Sequence, residues 1–130
     1  MEKTYKKGEI IIRQGDIKDK FLYWVTKGKL LVEKVVNGNI INCGYLREGD
    51  IFGEISMIIG TERAATIMAA EDGVAVQQLD KRAFFELIKK DQEIAWKVLT
   101  NLAIKTQMLD EIQGQISDPK MLRKLLVGKD

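Results

Sequence analysis

The sequence predicts a mainly β protein that ends in helices, and three observations carry that expectation. Between Gly8 and Leu79, short apolar runs are broken about every ten residues by glycine or Gly-Asp pairs, the punctuation of an all-β sandwich or barrel. Asn37-Gly38 sits between Val35-Val36 and Ile40-Ile41, a strong hairpin signal because both central turn positions want positive φ. After Asp80 the texture changes to helical spacing.

Taken in order, Ile10–Ile12, Phe21–Val25, Lys29–Val36 and Ile40–Leu46 read as strands, followed by Ile67–Ala70 and Val74–Leu79. Gly15-Asp16 and Gly49-Asp50 mark further turns. Asp80 is a good N-cap for a helix over Lys81–Lys89, with Phe84, Phe85 and Ile88 on its apolar side. Asp91 can cap a longer helix running to about Ile116, on which Leu102, Leu109 and Ile116 recur at heptad spacing, with Leu99, Thr106 and Gln113 between them. Asp118 as N-cap and Pro119 at the first helical position suit a short last helix ending at Gly128. No low-complexity linker interrupts the chain. The expected organisation is a β unit with its first helix over 1–90, then a helical segment over 91–130.

Composition narrows the function classes. A chain of 130 residues is long enough for one domain with a real core, and 45% hydrophobic with 31% charged residues is ordinary for a soluble globular protein. A net charge of +2 is too small to imply nucleic-acid binding by itself. Cys43 is the lone cysteine, no apolar run can span a bilayer, and MEKTYKKGEI is no signal peptide, so the expected location is the cytoplasm. There is no histidine. That removes Ser-His and Cys-His catalysis and the default general base near neutral pH, and with one cysteine it excludes His- or Cys-based zinc sites. The sequence therefore points away from an enzyme and away from a metal protein.

The chemistry concentrates in GDIFGEISMIIGTERAAT, Gly49 to Thr66. Gly53 and Glu54 stand at the start of a short apolar segment, and one loop later Arg63 is followed by Ala64 and Ala65. Backbone N–H groups at a helix start attract an anion, and a guanidinium grips phosphate oxygens in a fork. A carboxylate would repel phosphate, so Glu54 needs another role, such as accepting a sugar hydroxyl. Singly, a Glu and an Arg nine positions apart are an ordinary exposed ion pair, worth little. Together these residues read as a cradle for a ribose and a phosphate.

With GEIIIRQGD (Gly8–Asp16) and FLYWVTKGKLLV (Phe21–Val32), this stretch resembles the cyclic nucleotide-binding domain of catabolite-activator-type regulators and of cyclic-nucleotide-dependent kinase regulatory subunits. The resemblance covers about residues 5–90. It implies an eight-stranded jelly-roll barrel with a helical C-terminal subdomain. It also implies that Gly53 and Glu54 bind the ribose 2′-hydroxyl, that Arg63 pairs with the cyclic phosphate, and that backbone N–H groups at Ser56 and Ala64 reach the same phosphate. Small side chains at Ala64 and Ala65 would let the backbone approach the ligand, Ile55 lies inside the same cassette, and Leu46 would be an apolar wall. Charge-assisted contacts contribute about 1.5–3 kcal/mol each, so loss of Arg63 should cost about tenfold to a hundredfold in affinity. A threonine after the arginine is typical of cGMP-selective members; Ala64 stands there, so the resemblance leans to cAMP, with cGMP as the other candidate. On the long helix, Leu109 and Asp110 fall where activator-type members place hydroxyl residues for the adenine. Trp96 and Met108 are candidate covers for the base, with ordinary packing as the alternative for each.

Ser117–Asp130 is too short for the helix-turn-helix unit of activator-type regulators, so DNA binding by this chain alone is not expected, and neither is a membrane partner. The expected output is a homodimer through the 92–116 helix, or another protein, reached when ligand shifts the Gly53–Ile59 segment and the helices after it. The alternative is an interaction or scaffold protein that keeps the roll and binds no nucleotide.

Overall fold

Alternation along the strands decides where each one lies, because inward residues must meet inward residues. The structure, a computed structural model, describes residues 1–113, with side chains to Met108. Its strands are β1 (Glu2–Tyr5), β2 (Ile10–Ile12), β3 (Leu22–Lys27), β4 (Leu30–Val36), β5 (Asn39–Leu46), β6 (Ile51–Phe52), β7 (Thr66–Ala69) and β8 (Val74–Leu79). The helices are α1 (Glu54–Ile59), α2 (Lys81–Lys90) and α3 (Gln92–Gln113).

Two four-stranded sheets form, in the orders β1-β8-β3-β6 and β2-β7-β4-β5, and every pairing is antiparallel. The chain crosses repeatedly between the sheets, so each contributes to one core. Tyr23, Val25, Phe52, Val74 and Val76 come from the first sheet, and Ile12, Leu30, Ile67 and Ala69 from the second. The eight strands of the expected roll are therefore found among the described residues, but they do not close into a barrel. A ladder can continue only between strands about 4.8 Å apart, whereas packed sheets face each other at about 10 Å, and β1, β6, β2 and β5 end their sheets as edges.

The β4–β5 hairpin turns as its sequence requires, with Asn37 at φ 52° and Gly38 at φ 79°. The strands and the first two helices belong to one compact unit, Met1–Gln92. In α2 the Asp80 side chain accepts from the Ala83 N–H at 2.7 Å, the expected N-cap, and Phe84 is buried. Within α3, Thr106 Oγ1 donates back to the Leu102 carbonyl at 2.9 Å, while Trp96, Leu99 and Met108 are exposed. Of the expected heptad row, Leu102 is half-buried. The side chains of Leu109 and Asp110, together with Ile116 and the expected last helix, lie outside the described residues.

Candidate functional site

β6 is two residues long, and Phe52 anchors it by stacking on Tyr23 with ring centroids 5.0 Å apart and planes 9° apart. The chain then turns at Gly53, whose φ of 82° and ψ of 8° lie in the left-handed region, and α1 begins. Six residues are too few to be stable as an isolated helix, so α1 depends on its ends. The Gly53 carbonyl accepts from the Met57 N–H at 3.3 Å, and the Gly60 N–H, also left-handed, closes onto the Ser56 carbonyl at 2.9 Å. Lys20 Nζ donates to the carbonyls of Gly60 and Thr61 at 2.9 and 2.7 Å, placing a cation where the helix dipole is negative.

The loop after α1 returns Arg63 beneath this turn. Its backbone is fixed to the Gly15-Asp16 turn: Arg63 N–H donates to the Asp16 carbonyl at 2.9 Å, and the Arg63 carbonyl accepts from Gly15 at 2.8 Å. Its side chain runs inward and is almost fully buried, at 3% exposure for the residue. Nη1 donates to the Gly53 carbonyl at 3.0 Å. Nη2 donates to Asp19 Oδ1 at 2.7 Å and to the Phe21 carbonyl at 2.6 Å. The Tyr23 ring lies 5.9 Å from the guanidinium carbon. Arg63 Nε is also buried, and no protein group among the described residues accepts its N–H. Such a donor costs about 1–3 kcal/mol unless something else accepts from it.

Asp19 is the group that makes this burial tolerable. Its Oδ1 takes both Arg63 Nη2 and the Phe21 N–H, the latter at 3.0 Å, and its Oδ2 accepts the Tyr23 hydroxyl at 2.8 Å. Burial and then the Asp19 carboxylate push the Tyr23 hydroxyl well above the usual tyrosine range, so it remains a donor at neutral pH.

The expected site residues fall into two groups. Gly53, Glu54, Ser56 and Arg63 come together around α1, and Glu54, Ser56 and Arg63 are all buried. The ordinary exposed ion pair is thereby overturned: neither charge is on the surface, and Arg63 pairs with Asp19. Ser56 Oγ lies 3.5 Å from the Glu62 carbonyl and links α1 to the arginine loop. Ala65 is half-buried, whereas Ala64 and Ile55 are exposed. Leu46 sits on β5 opposite Leu30 and packs against the core. Sequence reading missed Asp19, Lys20 and Tyr23. Asp19 stands three residues before the start of β3, but its partner is 44 positions away and no local spacing reveals it.

An open cavity of about 490 Å³ lies elsewhere, lined by Gly8, Glu9, Ile10, Ile11, Arg13 and Asp16. Two carboxylates against one guanidinium make it a poor host for an anion. Among the described residues no cluster of His, Cys, Asp and Glu could hold a metal ion, and no helix is long and apolar enough to cross a membrane.

Comparison with known proteins gives a consistent result. Residues 2–91 match the family model for the cyclic nucleotide-binding domain. A cAMP-dependent protein kinase regulatory subunit from Debaryomyces hansenii is 41% identical over 88 residues, which is 67% of this chain and 18% of that protein. Among solved structures, the Thermus thermophilus catabolite activator protein superposes with a TM-score of 0.76 at 27% identity, over 90% of this chain and 55% of that one. The EAL enzyme Bd1971, in its cAMP-bound and its cGMP-bound form, superposes with a TM-score of 0.61 at 28% identity, over 89% of this chain and 32% of that one. The chain thus spans less than a fifth of the kinase subunit it matches.

Proposed function

Because the chain belongs to the cyclic nucleotide-binding domain family, we propose that it is a non-catalytic sensor module that binds cAMP and passes the event on through its C-terminal helices. The observation that carries this reading is Arg63: a buried guanidinium, pinned by three bonds, whose Nε–H lacks an acceptor among the described residues. A phosphate oxygen would supply that acceptor and add charge to the bond. Ser56 and Ala64 would bring backbone N–H groups to the same phosphate, small side chains at Ala64 and Ala65 would leave room for it, and Ile55 lies in the same segment, with Gly53 beside Glu54 at the ribose. Glu54, buried one residue after Gly53, would accept the ribose 2′-hydroxyl that a 3′,5′-cyclic phosphate leaves unesterified. Leu46 would face the base.

The preference for cAMP over cGMP rests on Ala64, which offers no hydroxyl for a guanine. The named relatives include a cAMP-dependent kinase subunit and an enzyme solved with either nucleotide, so the base is a matter for titration. Residues 1–90 would form the binding unit and 91–130 the output segment, with α3 as the route to a second copy or to another protein. Ligand can shift that segment by no more than its differential affinity for the two states.

Calorimetric titration with cAMP and cGMP tests the reading. Saturable binding with cAMP the tighter ligand supports it, and no heat at millimolar nucleotide from folded protein leaves the scaffold alternative. Sedimentation with and without nucleotide tests the dimer, and a monomer in both conditions removes it.

A further inference from the structure

Arg63 is held in part by residues that make no hydrogen bond to it. Asp19 Oδ1 takes the guanidinium, and the other carboxylate oxygen is fixed by the Tyr23 hydroxyl at 2.8 Å. Without that second bond a half-buried carboxylate could rotate towards water and release Nη2. Tyr23 is itself over-determined. Its ring stacks on Phe52 and meets the edge of Phe21 at 6.5 Å. Its hydroxyl oxygen receives Gln78 Nε2 at 3.2 Å, from the residue directly opposite it across the β3–β8 ladder. A phenol has one proton to give. With Gln78 donating to the oxygen, that proton is committed to Asp19.

We propose that Tyr23 and Gln78 are positioning residues for phosphate recognition: Gln78 on β8 donates to Tyr23 on β3 and Tyr23 donates to Asp19, which fixes the carboxylate that accepts from the Arg63 guanidinium. The proposal rests on the reading of Arg63 as the phosphate ligand. It makes the cross-strand pair Tyr23–Gln78 the device that keeps the Nη2 side of Arg63 occupied by protein, so that Nε–H stays available to the ligand.

The test is Tyr23→Phe, which keeps the ring on Phe52 and removes only the hydroxyl. Affinity for cAMP should fall about fivefold to tenfold, and the same change should cost nothing further in an Asp19→Ala background. Gln78→Glu is the second variant. Its carboxylate would accept the Tyr23 proton and turn it away from Asp19, with a similar loss, and it serves if Tyr23→Phe does not fold. A nucleotide-independent readout is the nitrogen NMR of the Arg63 guanidinium, whose Nη rotation should be slow in the parent and averaged in either variant. Parent-like affinity in folded variants, an equal loss with and without Asp19, or unchanged Arg63 rotation would each overturn the proposal. If the parent binds neither cAMP nor cGMP, the ribose–phosphate reading fails, and the guanidinium rotation alone decides whether Tyr23 and Gln78 position Arg63.

Discussion

Arg63 Nη1 donates to the Gly53 carbonyl at 3.0 Å, and a Cβ placed on residue 53 would stand 2.7 Å from the same nitrogen. The residue that caps the start of α1 and a residue of the loop that follows it are therefore fitted to each other. Gly53 is required twice, once by its left-handed φ of 82° and once by the guanidinium and the Phe21 carbonyl that crowd it.

Gly53→Ala should accordingly be costly. The added methyl meets Arg63 Nη1 at 2.7 Å and the Phe21 carbonyl at 2.8 Å, both polar groups committed to hydrogen bonds. We expect a loss of about 1–3 kcal/mol in stability by urea denaturation, with weaker nucleotide binding alongside. Unchanged stability would mean that the turn and Arg63 are less tightly coupled than the geometry indicates.

Glu54 should read the sugar. The parent is expected to bind cAMP about tenfold more tightly than its 2′-deoxy analogue, and Glu54→Gln should shrink that preference. Competition titrations with the two nucleotides give the ratio directly. An identical ratio in parent and variant removes Glu54 from the ribose.

Tyr23 should leave an alkaline signature. Its hydroxyl is raised in the fold by burial and by Asp19, and Tyr5 is raised by burial, then Asp19, then Glu9. A group whose pKa is higher folded than unfolded stabilises fully below the unfolded value and progressively less as pH rises above it. The unfolded tyrosine value is about 10, so parent stability should fall as pH passes about 10. Tyr23→Phe should fall less steeply, its remaining slope coming from Tyr5. Denaturant melts across that window measure the difference, and equal slopes would contradict the buried Tyr23–Asp19 bond.

Much of the fold was legible because local chemistry dictates it. Val74–Leu79 and Ile10–Ile12 form as strands with the expected bounds, and Asn37-Gly38 and Asp80 act as the turn and cap their side chains allow. The strands missed are those with little local signal. β1, EKTY, is polar and owes its place to pairing with β8, and β6 is only two residues long. Barrel closure was expected from family resemblance, and it fails because hydrogen bonding stays within each sheet. At the site, Gly53, Glu54 and Arg63 were visible as a motif because they lie close in sequence. Asp19, Tyr23 and Gln78 were not, since each is an ordinary residue on its own segment and acquires meaning only when β3 and β8 pair beside the arginine loop.

The central claim is that Arg63 holds the phosphate of a cyclic nucleotide, and the most direct measurement is the affinity of Arg63→Ala for cAMP beside that of the parent. The expected result is saturable binding by the parent and affinity about tenfold to a hundredfold weaker in the variant, with the β fold retained by circular dichroism. Equal affinity in a folded Arg63→Ala protein would contradict the account.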